Sequence, residues 1–218
     1  MEKIKLENIF YLDVAMAYFY FMDNDTQVND ELLKLNSEYL ANLHPNRKKE
    51  FINGRFCLYM AGKKINTNLS NVPIDKNGSL GLPQGLCASL THKDNYTIAV
   101  TSKVLKSVGV DIEKIMSKER FERIKTRFCS ENELQIVSNE LDGTITFSLK
   151  ESLYKLIFPL AQQYFGFLSA EILEINHDYN TFKVLLKSNQ EKIAKYNALY
   201  KGQFYKIDNY IITYLDFL

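Results

Sequence analysis

Apolar positions along this chain follow two different periods, and the changes between them mark its elements. Residues 9–22 form a run rich in Phe, Tyr and Val that reads as a core strand. Residues 31–43 then place Leu32, Leu35, Tyr39 and Leu43 close to a helical period, until Pro45 interrupts. A second charged and apolar run predicts a helix over 46–65. From 66 to 85 neither period is sustained, because Pro73, Gly78, Gly81 and Pro83 break it, and a turn-rich loop this long points to function. Two short β-prone runs follow, 86–91 and 96–101, joined as a hairpin by His92, Lys93, Asp94 and Asn95. Residues 108–112 add another strand.

The second half has the same mixture. Residues 115–128 are highly charged and helix-compatible, and 144–158 give the clearest helix, stopped near Pro159. Strands are expected over 181–186, 203–207 and 210–214, with Asp208-Asn209 as a tight hairpin turn between the last two. Each half is therefore a helix with a few antiparallel strands, which is the α+β class.

Composition narrows the setting. The 218 residues are 46% hydrophobic and 24% charged, enough to bury a core, so a disordered chain is excluded. Lysine and arginine total 27 against 26 acidic residues, and a formal charge of +1 offers no broad attraction for nucleic acid or an anionic membrane. Any anion site must be local. Cys57, Cys87 and Cys129 stand far apart with no C-x-x-C pair, which argues against a disulfide framework or a structural zinc and for a reducing, cytoplasmic setting. The apolar run 9–22 contains Asp13 and is shorter than the ~20 residues of a bilayer span. Glu2, Lys3, Lys5 and Glu7 mix both charges with no small-residue cleavage site after them, so no signal peptide is expected.

Candidate chemistry lies in four places. In Val108-Gly109-Val110-Asp111-Ile112-Glu113, alternate side chains of a strand share a face, so Asp111 and Glu113 project together and offer two hard oxygen ligands suited to magnesium. The plain alternative is an exposed strand with solvated acids. In Phe147-Ser148-Leu149-Lys150-Glu151-Ser152-Leu153-Tyr154-Lys155, the stripe Leu149, Leu153, Leu156 and Ile157 faces the core, and Glu151 and Lys155 lie one turn apart on another face. Here the plain alternative is a capping box of Ser148 with Glu151, plus an i, i+4 ion pair. Arg47, Arg55 and Lys63 recur at eight-residue intervals along the first helix, and His92 ends a β-run; solvated surface and an ordinary turn histidine are the alternatives there.

The order of these segments is more specific than any one of them. R-K-K-E-F-I-N-G-R-F, A-S-L-T-H-K, G-V-D-I-E and F-S-L-K-E-S-L-Y-K succeed one another between Arg47 and Lys155 and together resemble the 4′-phosphopantetheinyl transferase family of the Sfp and enterobactin-synthase type, with the enterobactin branch the nearer likeness. The resemblance implies a pseudo-twofold α+β fold of two lobes, 1–108 and 109–218, with coenzyme A between them. It also implies transfer of the phosphopantetheine arm of coenzyme A to a serine of an acyl or peptidyl carrier protein. Asp111, Glu113 and Glu151 match the metal-binding acids for Mg2+, with Mn2+ as a substitute. Lys150 and Lys155 match lysines near the diphosphate, Glu151 and Lys155 the catalytic pair, and Arg47, Arg55 and His92 the coenzyme A phosphate contacts. Lys76 is a further phosphate contact, placed across a gap. The chain departs from the family pattern where Gly81-Leu82-Pro83-Gln84-Gly85 lacks a tryptophan, Ala88 replaces a common glycine and Lys93 a frequent cysteine.

Residues 114–127 carry Lys114, Lys118, Arg120, Arg123, Lys125 and Arg127 against Glu119 and Glu122, an excess that suits docking of an acidic carrier protein. A monomer acting without nucleic acid or membrane is expected. Two other classes share parts of the pattern: a metal-dependent nuclease, which the neutral charge disfavours, and a carrier-binding module without transfer, which the retained D-x-E and K-E-S-x-x-K disfavour.

Overall fold

The structure is a computed structural model that describes residues 18–23, 40–41 and 43–218. Most of the helix expected over 31–43 and most of the strand expected over 9–22 lie outside the described residues. Packing divides the chain into two compact units, Met1–Val108 with Leu218, and Gly109–Phe217.

The first unit holds strands β1 (Tyr18–Asp23), β2 (Cys87–Lys93) and β3 (Tyr96–Ser102) and helix α1 (Pro45–Lys64). The strands form an antiparallel sheet in the order β1-β3-β2. Asp94, at φ +50°, takes the left-handed conformation that Asp tolerates better than most residues, so Asp94-Asn95 closes the hairpin alone. His92 and Lys93 are consequently paired strand residues opposite Thr97 and Tyr96, which corrects the expectation of a four-residue turn containing them. Pro45 opens α1, where its missing N–H costs nothing. Cys57, Leu58 and Ala61 from this helix pack with Leu69, Val72 and Ala99.

The second unit contains β4 (Ser107–Lys114), which opens at the boundary, α2 (Lys118–Phe128), α3 (Glu140–Ala161), β5 (Ala170–Asn176), β6 (Thr181–Leu186), the short α4 (Glu191–Ala194), β7 (Leu199–Ile207) and β8 (Tyr210–Phe217). Its five-stranded sheet runs β4-β8-β7-β6-β5. The β7–β8 turn is Asp208-Asn209, with Asp208 at φ +49° and Ile207 opposite Tyr210. α3 lies on β8 and buries Ile145, Leu149, Leu153 and Leu156 among Val184, Ile211 and Leu215. Helix and sheet elements in both units make this an α+β protein.

α3 starts four residues earlier than its apolar stripe suggests. Asn139 caps it by accepting from the amides of Leu141 and Asp142, and Glu140 and Asp142 add negative charge to the first turn. Asp142-Gly143 resembles a turn in sequence, yet Gly143 lies inside the helix, where its missing side chain makes room for Phe121; a Cβ there would sit 2.4 Å from the ring. The helix also runs past Pro159 and ends at Gln162, at φ +50°, whose amide bonds Phe158 O at 2.8 Å.

β4 is pressed against α3 at Gly109. A Cβ at this position would meet Ser152 O at 1.9 Å and the backbone nitrogen of Leu156 at 3.0 Å, and backbone cannot rotate aside. Gly109→Ala is therefore expected to destabilise the fold by about 3 kcal/mol, the upper part of the range for overpacking. Urea unfolding measures this, and an unchanged midpoint would contradict the close approach.

Candidate active site

The close approach of β4 to α3 determines what the two elements exchange. Val110 and Ile112 are buried in the core, but Asp111 is only 5% exposed as well, because α3 covers the opposite face. For Asp111 this removes the plain alternative of an exposed strand with solvated acids. Glu113, nearer the strand end, is half-buried.

Asp111 is tied to α3 through both oxygens. Lys155 Nζ donates to Asp111 Oδ1 at 2.7 Å and to Val110 O at 3.1 Å, and Ser148 Oγ donates to Asp111 Oδ2 at 2.9 Å. Ser148 and Ser152 also bond Thr213 Oγ1 on β8, at 3.0 and 2.7 Å. Ser148 is thus a buried helix-interior residue eight positions past the start of α3, and the capping-box reading of Ser148 with Glu151 is wrong. The reciprocal pattern occurs instead at Ser130 and Glu133: the Glu133 amide donates to Ser130 Oγ at 3.3 Å, and the Ser130 amide to Glu133 Oε2 at 2.8 Å.

Glu151 has no hydrogen bond or ion pair among the described residues. Lys155, one turn on, is drawn to Asp111 and not to Glu151. Burial pushes the Glu151 carboxyl above the usual glutamate range, and the charge of Asp111 adds to this; Lys155 opposes the shift and Glu113 reinforces it. Glu151 lines a cavity of about 170 Å³ with Lys150, Tyr154, Phe165 and Phe167. Tyr154 stacks on Phe158 at 5.2 Å and leans on Phe165 at 5.4 Å, which gives the cavity a rigid aromatic wall.

Lys150 departs from expectation. Its side chain is 1% exposed, its ammonium is 2.6 Å from Glu133 Oε1, and it donates to Phe128 O at 2.7 Å. Burial pushes its pKa down while Glu133 pulls it back. An amine committed to two internal acceptors is not displayed to a diphosphate, so the cation that Lys150 was expected to provide there reduces to Lys155.

The acids fit a divalent cation by chemistry: three hard oxygen donors near enough to repel one another, one of them without a protein partner. As the side chains lie, no group of three His, Cys, Asp or Glu residues among those described is gathered closely enough to hold a metal. Asp111 faces Lys155 and Ser148 instead.

In the first unit, Arg47, Glu50 and His92 form a half-exposed cluster, with Arg47 Nη1 2.9 Å and His92 Nε2 3.2 Å from Glu50 Oε2. Arg55 is 3% exposed, its guanidinium 4.7 Å from the centre of the Phe51 ring. Lys76 is exposed in the turn 75–78, where Gly78 has φ +84°. Lys63 lies over the Tyr59 ring at 4.5 Å. On α2, Phe121 and Phe128 are buried, as is Met116 just before the helix, while Lys118, Arg123 and Arg127, and Lys114 at the end of β4, are exposed.

The sequence profile described as the 4′-phosphopantetheinyl transferase superfamily matches residues 107–215, half of the chain and all of β4 and α3. The chain belongs to this superfamily. A second profile, the 4′-phosphopantetheinyl transferase N-terminal domain, matches residues 35–102. Within the superfamily the likeness runs to the enterobactin synthase component D branch. The chain is 33% identical over 144 residues to enterobactin synthase component D of Salmonella typhi, covering 64% of this chain and 60% of that protein. It is 28% identical over 172 residues to the Salmonella typhimurium protein of the same name, covering 77% and 70%. With the 4′-phosphopantetheinyl transferase PptT of Mycobacterium tuberculosis it shares 28% over 131 residues, 58% of each chain. The chain thus spans about three-fifths of the first of these relatives. Among the described residues, no helix of this superfamily member is long and apolar enough to cross a membrane.

Glu133, Ser152 and Thr213 were missed in the sequence. Glu133 had a signal, the S-x-x-E spacing from Ser130. Thr213 had none, since it joins α3 only through the sheet.

Proposed function

We propose that this chain transfers the 4′-phosphopantetheine arm of coenzyme A to a serine hydroxyl of an acyl or peptidyl carrier protein, releasing adenosine 3′,5′-bisphosphate. The observation that carries this reading is Glu151: a partnerless carboxylate held near Asp111 and Glu113, one helical turn from the cation Lys155. In the reaction the serine oxygen bonds to the β-phosphorus of coenzyme A while the bond from that phosphorus to the bridging oxygen breaks. Glu151 accepts the serine proton, and its raised pKa brings it nearer the working pH, where a general base is most effective. Lys155 steadies the charge left on the departing phosphate.

Asp111, Glu113 and Glu151 are the residues that would hold Mg2+, with Mn2+ as a substitute. The cation, when bound, neutralises diphosphate charge so that a nucleophile can approach. Arg47, Arg55, His92 and Lys76 are assigned to the coenzyme A phosphates. The exposed basic residues of 114–127 are assigned to an acidic carrier. Incubation with coenzyme A, Mg2+ and a panel of carriers tests the reading. Carrier-dependent release of adenosine 3′,5′-bisphosphate supports it, and absence of release with every carrier contradicts it.

A narrower expectation concerns the phosphate assignment. His92→Ala and Arg55→Ala should weaken binding of coenzyme A more than that of dephospho-coenzyme A, since a charge-assisted contact to the 3′-phosphate is lost only in the former. Arg55→Ala should also melt lower, because it removes the group packed on Phe51. Calorimetric titration of both ligands measures the difference, and equal losses would place these residues away from the 3′-phosphate.

A further inference from the structure

α3 is fastened on two opposite sides around Glu151. At about 100° per residue, Ser148 and Ser152 lie about 40° apart on the helix, and Lys150 falls diametrically opposite their midpoint. The serine side is bonded to Asp111 on β4 and Thr213 on β8. The lysine side is bonded to Glu133, which does more than neutralise it. Glu133 Oε1 takes Lys150 Nζ at 2.6 Å and the Ile172 amide at 2.7 Å, while Oε2 takes the Ser130 amide at 2.8 Å. Lys150 adds its bond to Phe128 O at 2.7 Å. The buried pair of Glu133 and Lys150 therefore joins the end of α2, the middle of α3 and the edge strand β5, and both side chains are 1% exposed.

We propose that Glu133, acting through Lys150, is a positioning residue that fixes the rotation of α3 and thereby the direction of the Glu151 carboxylate. The proposal rests on the transferase reading for its effect on turnover and stands on the fold for its effect on geometry. Lys150 precedes Glu151 in the chain and shares the cavity wall with it, so any roll of α3 on this side moves the Glu151 carboxylate directly. Fastened only on the serine side, the helix would pivot about Thr213. A misplacement of about 1 Å in a reacting group can cost ~10²-fold in rate, and outer partners that orient a metal ligand typically contribute 10- to 100-fold in metal affinity, roughly.

The test uses E133Q, K150M and the double variant in the full chain, assayed below all their melting temperatures. Three results are expected together. Mn2+ affinity, followed by electron paramagnetic resonance with the metal alone, falls about tenfold in each single variant. Turnover falls about tenfold or more with the KM for coenzyme A within about twofold. The double variant loses no more than the worse single one, because both substitutions open the same link. Lower melting with unchanged Mn2+ affinity, or losses that add in the double variant, would overturn the proposal. If E133Q does not fold, K150M and E133D carry the same measurements. Wild-type protein that binds Mn2+ but modifies no carrier would contradict the transferase reading, and the Mn2+ titration would then decide the positioning role by itself.

Discussion

Glu151→Gln is expected to lower the single-turnover rate of phosphopantetheine transfer by about 10²-fold or more, the usual contribution of a general base, while melting at or above wild type at neutral pH. The two halves of this result have one cause. Glu151 is pushed above the ordinary glutamate range by burial and by Asp111, so its ionised form is less stable in the folded chain than in the unfolded one. For such a group, stability is fully present below the unfolded pKa and is lost as pH rises through the folded pKa. Neutral glutamine escapes that loss. The gap in melting temperature between Glu151→Gln and wild type should therefore open as pH rises above the glutamate range and close at acid pH. No helix cap is disturbed, since Asn139 is the cap. Thermal unfolding across pH beside single-turnover kinetics checks both halves, and near-native turnover would remove Glu151 from the chemistry.

Asp111→Ala is expected to abolish transfer and to destabilise the protein as well, by about 2–3 kcal/mol. Its carboxylate holds Lys155 and Ser148 on separate oxygens at 5% exposure, so truncation leaves a partly buried ammonium with only Val110 O and a buried hydroxyl with only Thr213 Oγ1. Lys155 is 27% exposed and recovers some hydration, which keeps the loss below that of a fully buried pair. Asp111→Asn separates the effects. It keeps an acceptor for Ser148 and fills the same volume, so stability should fall less while transfer is still lost. Glu113→Ala, at a half-buried position nearer the strand end, should lose transfer with the smallest change in unfolding midpoint. Full magnesium-dependent activity in Asp111→Ala and Glu113→Ala would rule out the proposed metal ligands.

Local rules carried the sequence reading where local chemistry governs. Asp208-Asn209 and Asp94-Asn95 turn the chain because Asp accepts positive φ, and the Leu149, Leu153, Leu156 stripe faces the core because its spacing leaves no other option. The failures fall where a distant element decides. Asp111 looks like half of an exposed D-x-E, and only Gly109, the residue that lets α3 approach, signals that its face is covered. Ser148 has the spacing of a cap but is interior, bonded to residues 37 and 65 positions away. Lys150 matches a lysine expected near the diphosphate, and Glu133, which buries it, is brought to it by the loop after α2. In each case a polar side chain found its partner across the fold, an arrangement that neither helical nor strand periodicity records.

The central claim is that a carrier serine receives phosphopantetheine from coenzyme A at Glu151, and the intact mass of the carrier tests it most directly. A competent apo-carrier, incubated with coenzyme A, Mg2+ and the wild-type chain, should gain the mass of one phosphopantetheine on a single serine. The gain should disappear when that serine is replaced by alanine, and should slow about 10²-fold with Glu151→Gln. A carrier that keeps its apo mass across the whole panel, or gains it equally fast with wild type and Glu151→Gln, would contradict the account.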